Sequence, residues 1–451
     1  MRSLLTRLPA AAWLLAGFFF CVSPVRAQFP IASVGALQTS KWQLETFGSG
    51  AHAEAELSAV PSAQAARMQT NDPWLLIENG GTTITVLDAS RMVRLRTQAS
   101  EQALTGDIAI SADDRVGYLG DEAGGINRYA LPELRLERRV PTGIRITAFA
   151  LSGDGRWLLA ATREPDGLWL FDQNLQPVRS YPLTTLDGKS TGQVASIQPN
   201  LPRSSFIVTL RDLNELWEIS WNRQAEPIFD GLVHDYRMGE GLASSGFLGV
   251  RRTPLQANLP QVVLSPGGLL AIGTVSTSAG KPQHTEVIHL DIRRRITTLP
   301  PIDATTAITF LQGAHERLAA VDAGNQLQVR DVRTGLIVHT LPLTEPATTL
   351  RHASTATGAG LIWVVSCTAA DGICRAGATD PDAAPFLLPV QDHLRKPVRI
   401  GIGTPGQAIL IAGSGPDATL FAFDATTLQA AGQISIQSLR GLHSLARNPP
   451  Q

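Results

Sequence analysis

SGDGRWLLAATREPDGLWLFDQNLQPVRSYPL, residues Ser152 to Leu183, decides the fold. It opens on a Ser-x-Asp-Gly turn and runs through an apolar strand. A charged break follows, then the alternating strand LWLFD, a second turn and a last polar strand. Hydrophobicity alternates with period 2, and nothing in the stretch has helical spacing.

Both punctuation marks recur outward from this stretch. The tight turn returns at Ser111–Arg115, Ser265–Gly268 and Thr404–Gln407, with weaker forms at 312–317 and 355–360. The short alternating strand ends at Asp88, Ala130, Asp172, Ser220, Asp291, Asp331 and Asp424, and a degenerate copy lies at 374–379. Successive ends are 40 to 48 residues apart except for one gap of 71, which is the period of a propeller blade. Eight ends predict an all-β chain folded as one β-propeller of eight four-stranded blades, because radial closure hides sheet edges that a flat sheet would leave unpaired. Closure is expected through Gln433–Leu439 pairing with a strand near the beginning of the mature chain. The predicted organisation is a signal peptide over 1–27, an extension over 28–70 and a propeller over 71–445, with an insertion over 230–259 in the long gap.

Arg2 and Arg7, the uncharged run Ala10–Phe20 and the small residues Val25 and Ala27 form a secretory signal. The run is too short to span a membrane, so the mature chain is expected in the periplasm without membrane insertion. Loss of Arg2, Arg7 and Arg26 takes Lys+Arg from 38 to 35 against 39 acids, a balance that argues against nucleic acid as a partner. Export also removes Cys21. Cys367 and Cys374 remain, flanking an Asp-Gly hairpin turn, and are expected to form a disulfide in an oxidising compartment. No CxxCH occurs, so the chain carries no covalent c-type haem of its own.

In a propeller the innermost strand of each blade lines the channel. Counting back from the turns gives a ring of strand beginnings: Thr105–Asp107, Arg145, Gly192–Gln193, Gln261, Thr305–Thr306, Arg351–His352 and Arg399. Arginine forks suit carboxylates and phosphates. The insertion is expected to add His234, Arg237, Arg251 and Arg252 over the same face. The candidate ligand-binding set is therefore Arg145, Gln193, His234, Arg237, Arg351, His352 and Arg399, weighed against the ordinary polarity of propeller rims. His284 and His289 are five apart on a strand and face opposite sides, which makes them a poor metal pair. Nucleophile elbows, HExxH and phosphate loops are absent, and Asp113, Asp114 and Asp154 are explained by their turns. Trp74, Trp157, Trp169, Trp217 and Trp363 fall on strands, where packing between blades is the expected role.

The stretch 152–183, followed by QVASIQPNLPRSSFIVTLRDLNELWEISW over 193–221, resembles the d1-haem propeller of cytochrome cd1 nitrite reductases and of related d1-haem biosynthesis proteins. The resemblance covers most of 71–440. It implies an axial histidine just before the inner strand of an early blade, where this chain has Leu104–Thr105–Gly106–Asp107–Ile108. One distal histidine falls at His352 in LRHAST, and the other would fall near Thr404 in IGTPGQ. Nitrite reduction is therefore not expected. The resemblance implies a module that binds a d1-type haem, another tetrapyrrole or a different anion without the family axial histidine, or that docks on a periplasmic cytochrome or other redox protein. A d1-haem maturation enzyme using His352 or Asp107 as acid/base, and a purely structural interaction propeller, are the alternatives.

Overall fold

The repeated turn works through its serine. Ser152 Oγ donates to Asp154 Oδ1 at 2.5 Å and accepts the Trp157 amide at 3.0 Å. Ser111 repeats this with Asp113 and Val116, and Ser265 accepts the Leu270 amide. Each turn thus locks the hairpin that joins an innermost strand to the next one.

The computed structural model describes residues 72–445, except 142–144, 164–165, 230–242, 277–281, 303–307, 312–315, 323, 355–359, 369–371, 381–386, 397, 403–407, 414–417 and 426. Residues 1–27 and 28–70 lie outside it. The described residues form 32 strands in eight four-stranded antiparallel sheets. The chain is an eight-bladed β-propeller. Seven blades are consecutive meanders. The first is built from β1 (Pro73–Glu78), β2 (Thr83–Asp88) and β3 (Val93–Ala99), completed on its inner side by β32 (Gly441–Ser444) from the other end of the chain. Trp74–Ile77 pair with Ser444–Gly441, so closure falls just beyond the expected 433–439, whose first residues belong to the outer strand Ala430–Ile436.

The other innermost strands are β4 (Leu104–Ile110), β8 (Arg145–Leu151), β12 (Val194–Asn200), β16 (Val262–Leu264), β20 (Ile308–Leu311), β24 (Ala347–Ser354) and β28 (Arg399–Ile402). Around most of the ring each lies against the next, and β28, β32 and β4 lie side by side across the closure. All run in the same sense, from a start face to a turn face where the Ser-x-Asp-Gly hairpins sit. Apolar cores fill the spaces between blades. Trp74, Trp217 and Trp363 are fully buried there, while Trp157 and Trp169 are half-buried.

The long gap in the repeat lies between the third strand of the fourth blade, Glu215–Ser220, and its outer strand, Val250–Pro254. Part of the expected insertion over 230–259 is thus sheet. A connection from a third to a fourth strand leaves and rejoins at the turn face, opposite to the strand beginnings over which it was expected. Arg251 and Arg252 belong to the outer strand. Arg252 donates to Glu215 Oε2 at 2.8 Å and to the Thr184 carbonyl at 2.7 Å, and lies over the Trp217 ring at 4.5 Å. Its role is packing. Cys367 and Cys374 are register partners on adjacent strands and form the disulfide.

Candidate functional site in the channel

Depth in the channel can be read from pairing. The third strand of most blades ends at an Asp: Asp88 opposite Pro73, Asp172 opposite Trp157, Asp331 opposite Arg317. In the seventh and eighth blades Asp380 and Asp424 follow Thr379 and Phe423, which pair with Ile362 and Ile409. Taking the residue opposite each Asp as the first rung puts Leu75, Leu159, Ala319 and Trp363 on the third. Their inner-strand partners are His443, Ala150, Thr309 and Arg351.

The sequence-derived ring therefore spreads over several depths. Arg145 pairs with Arg163 on the seventh rung, at the start face. Arg399 pairs with Ala412 on the fifth, and Arg351 lies on the third, about 13 Å below Arg145 at 3.3 Å per residue. Gln193 precedes β12 at the start face. Its Nε2 donates to Asp166 Oδ2 at 2.9 Å beside a cavity of about 410 Å³ lined also by Thr184, Thr191 and Asp212. His234 and Arg237 lie outside the described residues.

Direction also separates the candidates, since residues paired across antiparallel strands project on the same side. Trp363, opposite Arg351, packs with Ile409 and Ile411 of the eighth blade. Ala412, opposite Arg399, packs with Trp74 and Leu76 of the first. Leu75, opposite His443, packs with Leu104 and Leu119 of the second. Three consecutive inner strands, β24, β28 and β32, thus present Arg351, Arg399 and His443 on the side turned to the following blade. His352 faces the other way: its partner Ile362 packs with Ala319 and Val321 of the sixth blade. Its Nε2 is sealed from solvent without a hydrogen-bond partner, and lies so close over Gly360 that a side chain there would collide with it.

The basic sector is poorly compensated. Arg351 and Arg399 are solvent-accessible, and among the described residues neither has an ion-pair partner within 4 Å. Among the described residues Arg351 makes one side-chain hydrogen bond, from Nη1 to the Leu350 carbonyl at 2.9 Å. Burial pulls the Arg351 guanidinium below its ordinary value, and does the same to Arg399 against the opposing field of Asp107. Burial likewise lowers His443, and lowers His352 together with the cationic Arg317. Both imidazoles are therefore biased toward the neutral form, while the arginines remain cations.

Asp107 owes its position to a bulge. Leu104 pairs with Asp121 and Ile108 with Leu119, so two extra residues loop out of β4. Gly106, at φ 100°, allows this, since a Cβ there would run into the Arg440 carbonyl. Thr105 Oγ1 donates to Asp107 Oδ2 at 2.9 Å. The stretch matching the family axial-histidine position is this bulge.

Residues 68–230 match the cytochrome D1 heme domain family. The propeller resembles that domain. A 261-residue stretch, 58% of the chain, is 26% identical to the dihydro-heme d1 dehydrogenase of Pseudomonas aeruginosa, covering 48% of that protein. A second, of 168 residues and 37% of the chain, is 27% identical to Protein NirF of Stutzerimonas stutzeri, covering 43% of it. The matched stretches span less than half the length of these relatives. The d1-like propeller also shares its fold with the solved dihydro-heme d1 dehydrogenase NirN in complex with DHE, at a TM-score of 0.68 and 20% identity over 86% of this chain and 78% of that one. Among the described residues no helix is long and apolar enough to cross a membrane.

Nothing in the sequence around His443 singles it out. Placing the closing strand on Gly441–Ser444 would have put it in the channel.

Proposed function

We propose that the channel of this d1-like propeller binds a carboxylate-bearing tetrapyrrole of the d1 type, held by Arg351 and Arg399. The observation that carries this is a pair of accessible, partly desolvated guanidiniums that have no ion-pair partner within 4 Å among the described residues. A partly desolvated cation invites an anion, and an incoming carboxylate can add charge-assisted hydrogen bonds of about 1.5–3 kcal/mol each.

The group fits the residues present in this respect. Its carboxylates would find Arg351 and Arg399 on the innermost strands β24 and β28. When bound, such a macrocycle supplies redox chemistry at its ring and metal. The chain's own part is to orient it and limit its contact with water. A periplasmic setting is supported by the export signal and the disulfide. With no histidine on the β4 bulge, nitrite reductase activity is not part of the reading.

A d1-haem maturation enzyme is the second reading, favoured by the names of the relatives and by Asp107, a carboxylate set beside Arg399. It would require turnover of a d1 precursor that Asp107→Asn abolishes while binding persists. The binding reading is tested by titrating purified protein with metal-free protoporphyrin IX and following the Soret band. Saturable binding should weaken about 10- to 100-fold in Arg351→Ala and in Arg399→Ala. Binding that neither substitution alters would sink it.

A further inference from the structure

His352 is the histidine that the family resemblance singles out, yet the geometry favours another. Among the described residues, His352 and His443 are the two histidines on innermost strands. His352 is turned toward the sixth blade with its Nε2 closed off over Gly360. His443 shares the third rung with Arg351, and both project on the side turned to the following blade. Around that rung the remaining blades offer Ala109, Ala150, Gln198, Val263, Thr309 and Gly401, none of which is a strong metal ligand. The His443 ring makes no hydrogen bond among the described residues. Unlike His352 Nε2, its nitrogens are not sealed from solvent.

We propose that His443, delivered by the strand that closes the ring, is the residue that presents an imidazole lone pair to the metal of a macrocycle seated on Arg351 and Arg399. The proposal rests on the tetrapyrrole-binding reading and adds a division of labour to it. The arginines take the carboxylates and are indifferent to the metal. His443 responds only to the metal. A neutral imidazole with a free nitrogen is what metal ligation requires. Since β32 is the last strand among the described residues, the site is complete only when Gly441–Ser444 has paired with Trp74–Ile77, and ligand and closure stabilise each other.

The test compares ferric protoporphyrin IX with metal-free protoporphyrin IX on the full protein. Wild type should bind the ferric form at least tenfold more tightly, with the absorption signature of imidazole ligation. His443→Ala should lose that signature and that advantage while binding the metal-free form as wild type does. Free imidazole should restore the signature in His443→Gly, which a merely structural role would not allow. His352→Ala should keep it. The proposal is overturned if His443→Ala and His443→Gln weaken both ligands equally, or if the signature survives in them. It is also overturned, with the arginine site left standing, if wild type binds the metal-free form through Arg351 and gains nothing from iron. Failure of wild type to bind either form removes the tetrapyrrole reading itself.

Discussion

Arg203 in the fourth blade and Arg351 in the seventh are both hemmed in by protein, and the chain treats them in opposite ways. Arg203 Nε donates to Glu218 Oε1 at 2.8 Å, its Nη2 to Oε2 at 3.1 Å, and its Nη1 to Asp291. Burial pulls its pKa down, but these carboxylates outweigh that and raise it. Arg94 with Glu78 in the first blade and Arg139 with Asp121 in the second repeat the pattern, as does Arg252 with Glu215 within the fourth. Among the described residues Arg351 has no such partner, and burial alone accounts for its lowered pKa. Arginines between blades are part of the scaffold, answered by carboxylates of the same fold. Those on β24 and β28 have no such carboxylate partner among the described residues, which is why we propose them as the ligand site. The contrast locates function by where the protein leaves its own charges unmatched.

The contrast can be broken at its structural end first. Arg203→Ala should cost about 3–5 kcal/mol in urea unfolding, because it strands the buried Glu218 carboxylate, and should leave porphyrin binding unchanged. Next in size is the disulfide. Cys367→Ser with Cys374→Ser opens a crosslink spanning 7 positions and should lower stability by about 2–3 kcal/mol by the loop-entropy relation. Arg351→Ala should do the reverse of Arg203→Ala, staying within about 1 kcal/mol of wild-type stability while porphyrin binding weakens about 10- to 100-fold. The smallest effect should come from acid. His352 has its pKa lowered from 6.5, so the unfolded chain takes up the proton first and stability falls as pH drops below about 6.5. His352→Gln should flatten that part of the stability–pH curve, measured by thermal unfolding. A variant with the wild-type slope would show that the ring is not desolvated.

The propeller was legible because each blade repeats its own instructions: Ser152 with Asp154 and Ser111 with Asp113 fix the same hairpin, and the spacing between strand ends counts the blades. The disulfide was legible for the same local reason. The channel was not. Arg351 and His352 are neighbours in sequence, but the period-2 alternation of a strand sends them to different interfaces, and only the partners Trp363 and Ile362 reveal which. Depth was equally hidden, because the bulges in β4, β8, β12 and β24 change the count from turn to mouth. His443 was invisible for a third reason. Its role depends on pairing with Leu75, more than 360 residues away, a contact no local pattern announces.

A crystal structure of the protein soaked with protoporphyrin IX tests the central claim most directly. Both propionates should lie within hydrogen-bonding distance of Arg351 and Arg399, between the seventh, eighth and first blades. Density for the ring on the outer strands, or in the cavity beside Gln193 and Asp166, with the two arginines untouched, would contradict the account.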